Sequence, residues 1–182
     1  MKPALIFIIN TLSQLYLLVM LLRFWLPWLR ADFRNPISQG ILRLTSPLVI
    51  PVRRVVPPIG RLDTATVLVA FALQYLTILT ILGIGGSIAG ILPIAITALI
   101  ELIILTLRLF TFAIFIHIIL SWVAPGTYNP ATAFISMLVE PVLRPFRRRI
   151  PTLGGLDISP IFAIIMLQAI SIFVSTLRPP LA

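Results

Sequence analysis

Four long apolar stretches, at residues 4–29, 64–82, 96–123 and 158–177, dominate this chain. Each is long enough to cross the ~30 Å hydrocarbon layer of a bilayer as a helix. They leave little else to build with: 59% of the residues are apolar, 10% are charged, and the mean hydropathy is +1.12. A water-soluble surface needs more charge than that, so the expected class is an all-α membrane protein with four transmembrane helices. The first stretch follows Met1-Lys2-Pro3, is too long for a secretory signal and lacks a small-residue cleavage motif after it. It is expected to be a retained span.

Sliding the chain on itself by 94 residues aligns its halves without a gap. Trp28 falls on Trp122, Asn35-Pro36 on Asn129-Pro130, Pro47 on Pro141 and Pro51 on Pro145. Arg53-Arg54 then falls on Arg147-Arg148, Gly60 on Gly154, Leu62-Asp63 on Leu156-Asp157 and Gln74 on Gln168. Hydrophobicity alone would match Leu to Ile anywhere, but it cannot hold Pro, Arg, Gly and Asp in register. Two tandem helix–loop–helix units are therefore expected, at 1–88 and 89–182.

Each unit crosses the membrane twice, so the copies are parallel and their loops share a side. The loops hold most of the arginines behind the net charge of +9. The positive-inside bias assigns them to the cytoplasm, with the Gly-rich linker at 83–90 and both termini outside.

The loops are patterned. Asn35-Pro36 and Asn129-Pro130 read as helix starts, with Asn as cap and Pro at the first helical position. Ile37, Ile41, Leu44 and Leu48 follow at helical spacing, as do Ala131, Ile135, Leu138 and Val142, predicting a short amphipathic helix in the interface plane of each loop. Pro47 and Pro141 are expected to end or kink these helices, and the following Pro-x-x-x-Pro-x-Arg-Arg segments to run extended. Asp63 and Asp157 stand where they can cap the next span.

The doubled pattern of Trp, Asn-Pro, Pro-x-x-x-Pro-x-Arg-Arg and Gly-x-Leu-Asp, flanked by apolar spans, resembles the YggT family of bacterial membrane proteins, which has relatives in cyanobacteria and plastids. The second copy, with Ser159-Pro160 after Asp157, is the more typical; the first has Thr64-Ala65-Thr66 there. The resemblance covers nearly the whole chain. It implies a multi-pass protein of the bacterial inner membrane, from a family linked to osmotic or ion homeostasis, division and membrane-complex assembly.

Arg53, Arg54, Arg147, Arg148 and Arg149 are the candidates for contact with anionic headgroups or an acidic partner protein. They lack the interleaved aromatic platform of a nucleic-acid site, so no nucleic acid is expected. Within the spans, Gln14, Gln74 and Gln168 are expected to face the bundle and bond across helices. Arg108, in register with Gln14, is expected to pair with Glu101, two turns away on the same helical face. Arg23 and His117 occupy matching positions and are expected to snorkel toward the interface.

With no cysteine, one histidine and no paired carboxylates, neither a metal site nor a cofactor nor an enzyme is expected. The expected function is a membrane scaffold or assembly factor working through its Arg-rich loops, as a monomer or a homo-oligomer. The alternative is a small channel or transporter subunit with a pathway lined by Gln14, Gln74, Arg108 and Gln168.

Overall fold

The computed structural model describes residues 1–29, 32–123, 129–150 and 157–181. They form six helices and, among the described residues, no strand: α1 (Lys2–Trp25), α2 (Pro36–Arg53), α3 (Thr64–Gly85), α4 (Ile91–Val123), α5 (Pro130–Arg147) and α6 (Ser159–Ser175). Three of them, α1, α3 and α4, are long and apolar enough to cross a membrane. The fourth expected span, 158–177, is an equally apolar but shorter helix of 17 residues.

Boundaries follow local chemistry. Pro27 has no N–H, so the predicted first span stops being α-helical at Trp25 and closes as a turn in which Leu29 N donates to Trp25 O at 3.0 Å. At the other end of the unit, α3 terminates on Gly86, whose φ of +80° is open to glycine at no cost. The short linker after it forces α3 and α4 to lie antiparallel as neighbours, and α4 begins earlier than predicted, at Ile91.

All six helices contribute to one core, with Met20, Val49, Val69, Ile114, Leu143 and Ala163 among its buried members. Trp25 and Phe110 lock α1 to α4 with their rings edge-on and 5.1 Å apart. The outward faces carry large apolar side chains, including Phe7, Leu12, Leu76, Phe112 and Phe162. Such a surface is stable against lipid and not against water.

The loop helices correct two expectations. Pro47 and Pro141 neither end α2 and α5 nor begin an extended segment; both helices run on through Pro51 and Pro145 to Arg53 and Arg147. All four prolines lie on exposed positions, so the carbonyls that lose an N–H partner face outward, where water or headgroups can serve them. The packed face is also rotated by about one residue. Ser38, Ile41, Thr45 and Val49 are buried, whereas Leu44 and Leu48 are exposed. In α5 the buried positions are Phe134, Leu138, Val139 and Leu143. The predicted seam missed this because two of the buried positions on α2 are small polar residues, Ser38 and Thr45, that a hydrophobic pattern passes over.

Candidate functional site

In the first repeat the loop is closed by a carboxylate gripped from three sides. Asp63 caps α3, accepting from the Thr66 amide at 3.4 Å and from the Thr66 hydroxyl at 2.6 Å. Its Oδ2 also accepts from the Arg53 guanidinium at the end of α2 and lies 3.6 Å from Arg23 Nε. Burial raises the Asp63 carboxyl, but the Thr66 hydroxyl and Arg53 outweigh it and hold the group below the usual carboxylate range.

Arg23 does not snorkel. It is 4% exposed, and its Nη1 donates to Thr45 Oγ1 at 2.8 Å, Ser46 Oγ at 3.2 Å and Leu42 O at 3.4 Å. The guanidinium therefore ties α1 to α2 and to the start of α3. The cause is the polar strip on α2: a long donor that finds a hydroxyl, a carbonyl and a carboxylate inside has no need to reach outward. Sequence reading missed Arg23 as a partner of Asp63, although the adjacent hydroxyls of Thr45 and Ser46 on α2 were the available signal.

The second repeat builds the same brace with different neighbours. Arg147 Nε donates to Asp157 Oδ2 at 2.8 Å, and Arg147 Nη1 to Glu140 Oε2 at 2.7 Å. Asp157 caps α6 from one residue further out than Asp63 caps α3, accepting from the Ser159 amide at 3.0 Å and from the Ser159 hydroxyl. Burial raises its carboxyl, while the Ser159 and Arg147 bonds lower it to a net value below the ordinary one. His117, in the place of Arg23, is half-buried and lines a cleft with Arg147 and Asp157.

The arginine pairs thus divide their labour. Arg53 and Arg147 brace the loops, while Arg54, Arg148 and Arg149 are exposed and form no ion pair among the described residues. The loop helices begin as predicted: Asn35 accepts from the Ile37 amide at 2.9 Å, and Asn129 forms a capping box with Thr132. Asn35 Nδ2 also donates to Pro130 O at 2.8 Å, joining the two loops at their helix starts.

The polar residues expected within the spans are not gathered into one place. Gln74 is buried, and Gln14 is partly buried with a 3.4 Å bond to Asn10 on its own helix. Arg108 and Gln168 are exposed and flank a shallow groove between α4 and α6 with Thr111 and Phe112. Of the three glutamines expected to face the bundle and bond across helices, Gln74 lies in the packed interior, Gln168 does not, and the Gln14 bond stays within α1. α3 has neighbours in α1, α2 and α4, but among the described helices α6 packs only on α4 and α5, and Gln168 lies about 140° around the helix from buried Ala163. Glu101 pairs with Arg178 at 3.0 Å and not with Arg108, because the chain after α6 brings Arg178 alongside.

The CCB3/YggT family model matches the chain twice, over residues 3–84 and 96–178. The uncharacterized protein PA0392 of Pseudomonas aeruginosa is 46% identical over 179 residues, covering 96% of this chain and 89% of that protein. The uncharacterized protein YggT of Escherichia coli K12 is 35% identical over 170 residues, covering 93% and 88%. A chloroplast protein of Arabidopsis thaliana, YlmG homolog protein 2, is 32% identical over 139 residues, covering 75% of this chain and 49% of its own length. No solved structure matches.

Proposed function

The chain belongs to the CCB3/YggT family, and we propose that it is a non-enzymatic scaffold of the bacterial inner membrane whose loops present a basic ridge to anionic headgroups or to an acidic partner protein. In this reading α6 is the fourth span. Its 17 residues lie at the lower limit for crossing, and the apolar Leu177 follows. α2 and α5 lie in the interface plane, with Leu44 and Leu48 toward the acyl chains. The loops are cytoplasmic and both termini are outside. The contact between Asn35 and Pro130 supports a shared side for the two loops.

The observation that carries this reading is the division within the arginine pairs. A cluster needed only for internal bracing would have its cations engaged, yet Arg54, Arg148 and Arg149 project beyond the brace. Exposed guanidinium groups at a membrane surface attract anionic headgroups by about 1 kcal/mol each and fork onto phosphate or carboxylate oxygens. A photo-crosslinking residue at 54, 148 or 149 should therefore capture anionic lipid or an acidic protein in living cells. One at Leu76, on the apolar outer face of α3, should capture acyl chains in the proportions of the bulk membrane, with no enrichment of anionic lipid or acidic protein. Equal enrichment from both places would overturn the proposal.

A further inference from the structure

The first repeat solves a problem that the second leaves open. Arg23 fills the space between α1, α2 and the start of α3, where two guanidinium groups, its own and that of Arg53, share the Asp63 carboxylate. In the second repeat the position of Arg23 is His117, that of Thr45 is Val139 and that of Ser46 is Glu140. The cluster now holds one guanidinium, Arg147, against two carboxylates, Asp157 and Glu140. It has lost a cation and gained an anion. Beside it lies a cleft of about 700 Å³, lined by His117, Ser121, Trp122, Arg147, Asp157 and Ile161.

We propose that this cleft receives a guanidinium or ammonium group from outside the chain, seated against Asp157 where the first repeat seats its own Arg23. Acceptor capacity remains for it. Among the described residues Asp157 Oδ2 takes one bond, from Arg147, whereas Asp63 Oδ2 takes bonds from Arg53 and Thr66 and stands 3.6 Å from Arg23 as well. Glu140 stands outside the cleft lining; it engages Arg147 through Oε2, has no bond at Oε1 among the described residues, and adds its negative charge to the cluster. Trp122, 72% exposed at the cleft, offers an indole face on which a cation stacks favourably. The ligand class is an organic monocation with an apolar stem, supplied by an arginine or lysine of a partner protein or by an amine lipid headgroup. This site is separate from the exposed basic ridge and takes ligands of the opposite charge.

The test uses the full chain in nanodiscs of phosphatidylglycerol, which contain no amine, titrated with methylguanidinium. A saturable change in tryptophan emission is expected that potassium at equal ionic strength does not reproduce and that Trp122→Phe removes. His117→Arg restores the first-repeat residue and should fill the cleft from within. Binding then weakens by at least about tenfold, close to 1.4 kcal/mol, while the melting temperature rises. Glu140→Ser, a change at an exposed side chain, should weaken binding without unfolding the protein. Repeating the titration in discs containing phosphatidylethanolamine identifies the source. Competition points to a lipid amine, and unchanged affinity to a protein side chain. The absence of saturation in phosphatidylglycerol discs, or wild-type binding by both His117→Arg and Glu140→Ser, would overturn the proposal.

Discussion

Arg23 and Asp63 lie 3.6 Å apart, nitrogen to carboxylate oxygen, with side-chain exposures of 4% and 7%. Removing Arg23 leaves Asp63 with Arg53 and Thr66 but takes the donor from Thr45, Ser46 and Leu42 O in a buried space, which costs about 1–3 kcal/mol. Arg23→Ala should therefore lower the melting temperature of the purified protein by several degrees. Arg23→Lys should recover part of the loss, because an ammonium keeps the charge but cannot fork across Thr45, Ser46 and Asp63. A neutral Arg23→Ala variant would show that α1 and α2 are held by packing alone.

The Asp63 carboxyl is lower in the folded protein than in an unfolded chain, so its contribution has a defined pH window. The stabilisation is fully present above the ordinary carboxylate range near about 4 and is lost as pH falls through the lowered folded value. Asp157 adds a contribution of the same sign from a less buried position. Melting temperatures measured from neutral to strongly acidic pH should show an acid limb that flattens in Asp63→Asn. The pH 7 stability of that variant should already be reduced. A limb of unchanged steepness in Asp63→Asn would assign acid sensitivity to other groups.

Pro47 and Pro141 stand inside helices on exposed faces, each withholding one backbone bond. Replacing them with Ala restores an N–H where the backbone is already helical, and proline costs up to about 3 kcal/mol relative to Ala in a helix interior. Pro47→Ala and Pro141→Ala are expected to leave thermal stability unchanged or higher. A marked loss in either would mean that the packing of α2 or α5 depends on a bend at the proline.

Much of this was legible in advance. The Asn-Pro helix starts and the Asp63 cap follow from residues whose backbone chemistry is restrictive, and these are what a single sequence reports best. The partnerships were not legible. Arg53 and Arg54 look equivalent in sequence, yet the end of α2 turns one toward Asp63 and the other away. Glu101 and Arg108 share a helix face, but a residue beyond α6 intercepts the carboxylate. Choices of that kind depend on how helices distant in sequence pack, which periodicity does not carry.

The bracing and exposed arginines should separate cleanly in stability measurements. Arg53→Gln loosens a bond to a buried carboxylate from a guanidinium that is itself 41% exposed, so a loss of about 1 kcal/mol is expected. Arg54→Gln, which breaks no ion pair, should stay within about 0.5 kcal/mol of the parent.

The most direct measurement of the basic ridge is the lipid retained by the purified protein, quantified by mass spectrometry after exchange into discs of mixed phosphatidylglycerol and phosphatidylcholine. The wild type should retain phosphatidylglycerol in excess of its share of the disc. The combined Arg54→Glu, Arg148→Glu and Arg149→Glu variant should lose that excess while melting at the same temperature. Identical enrichment in the variant, together with no loss of an acidic protein partner captured from cells, would contradict the assignment of these three arginines as the protein's contact with anionic surfaces.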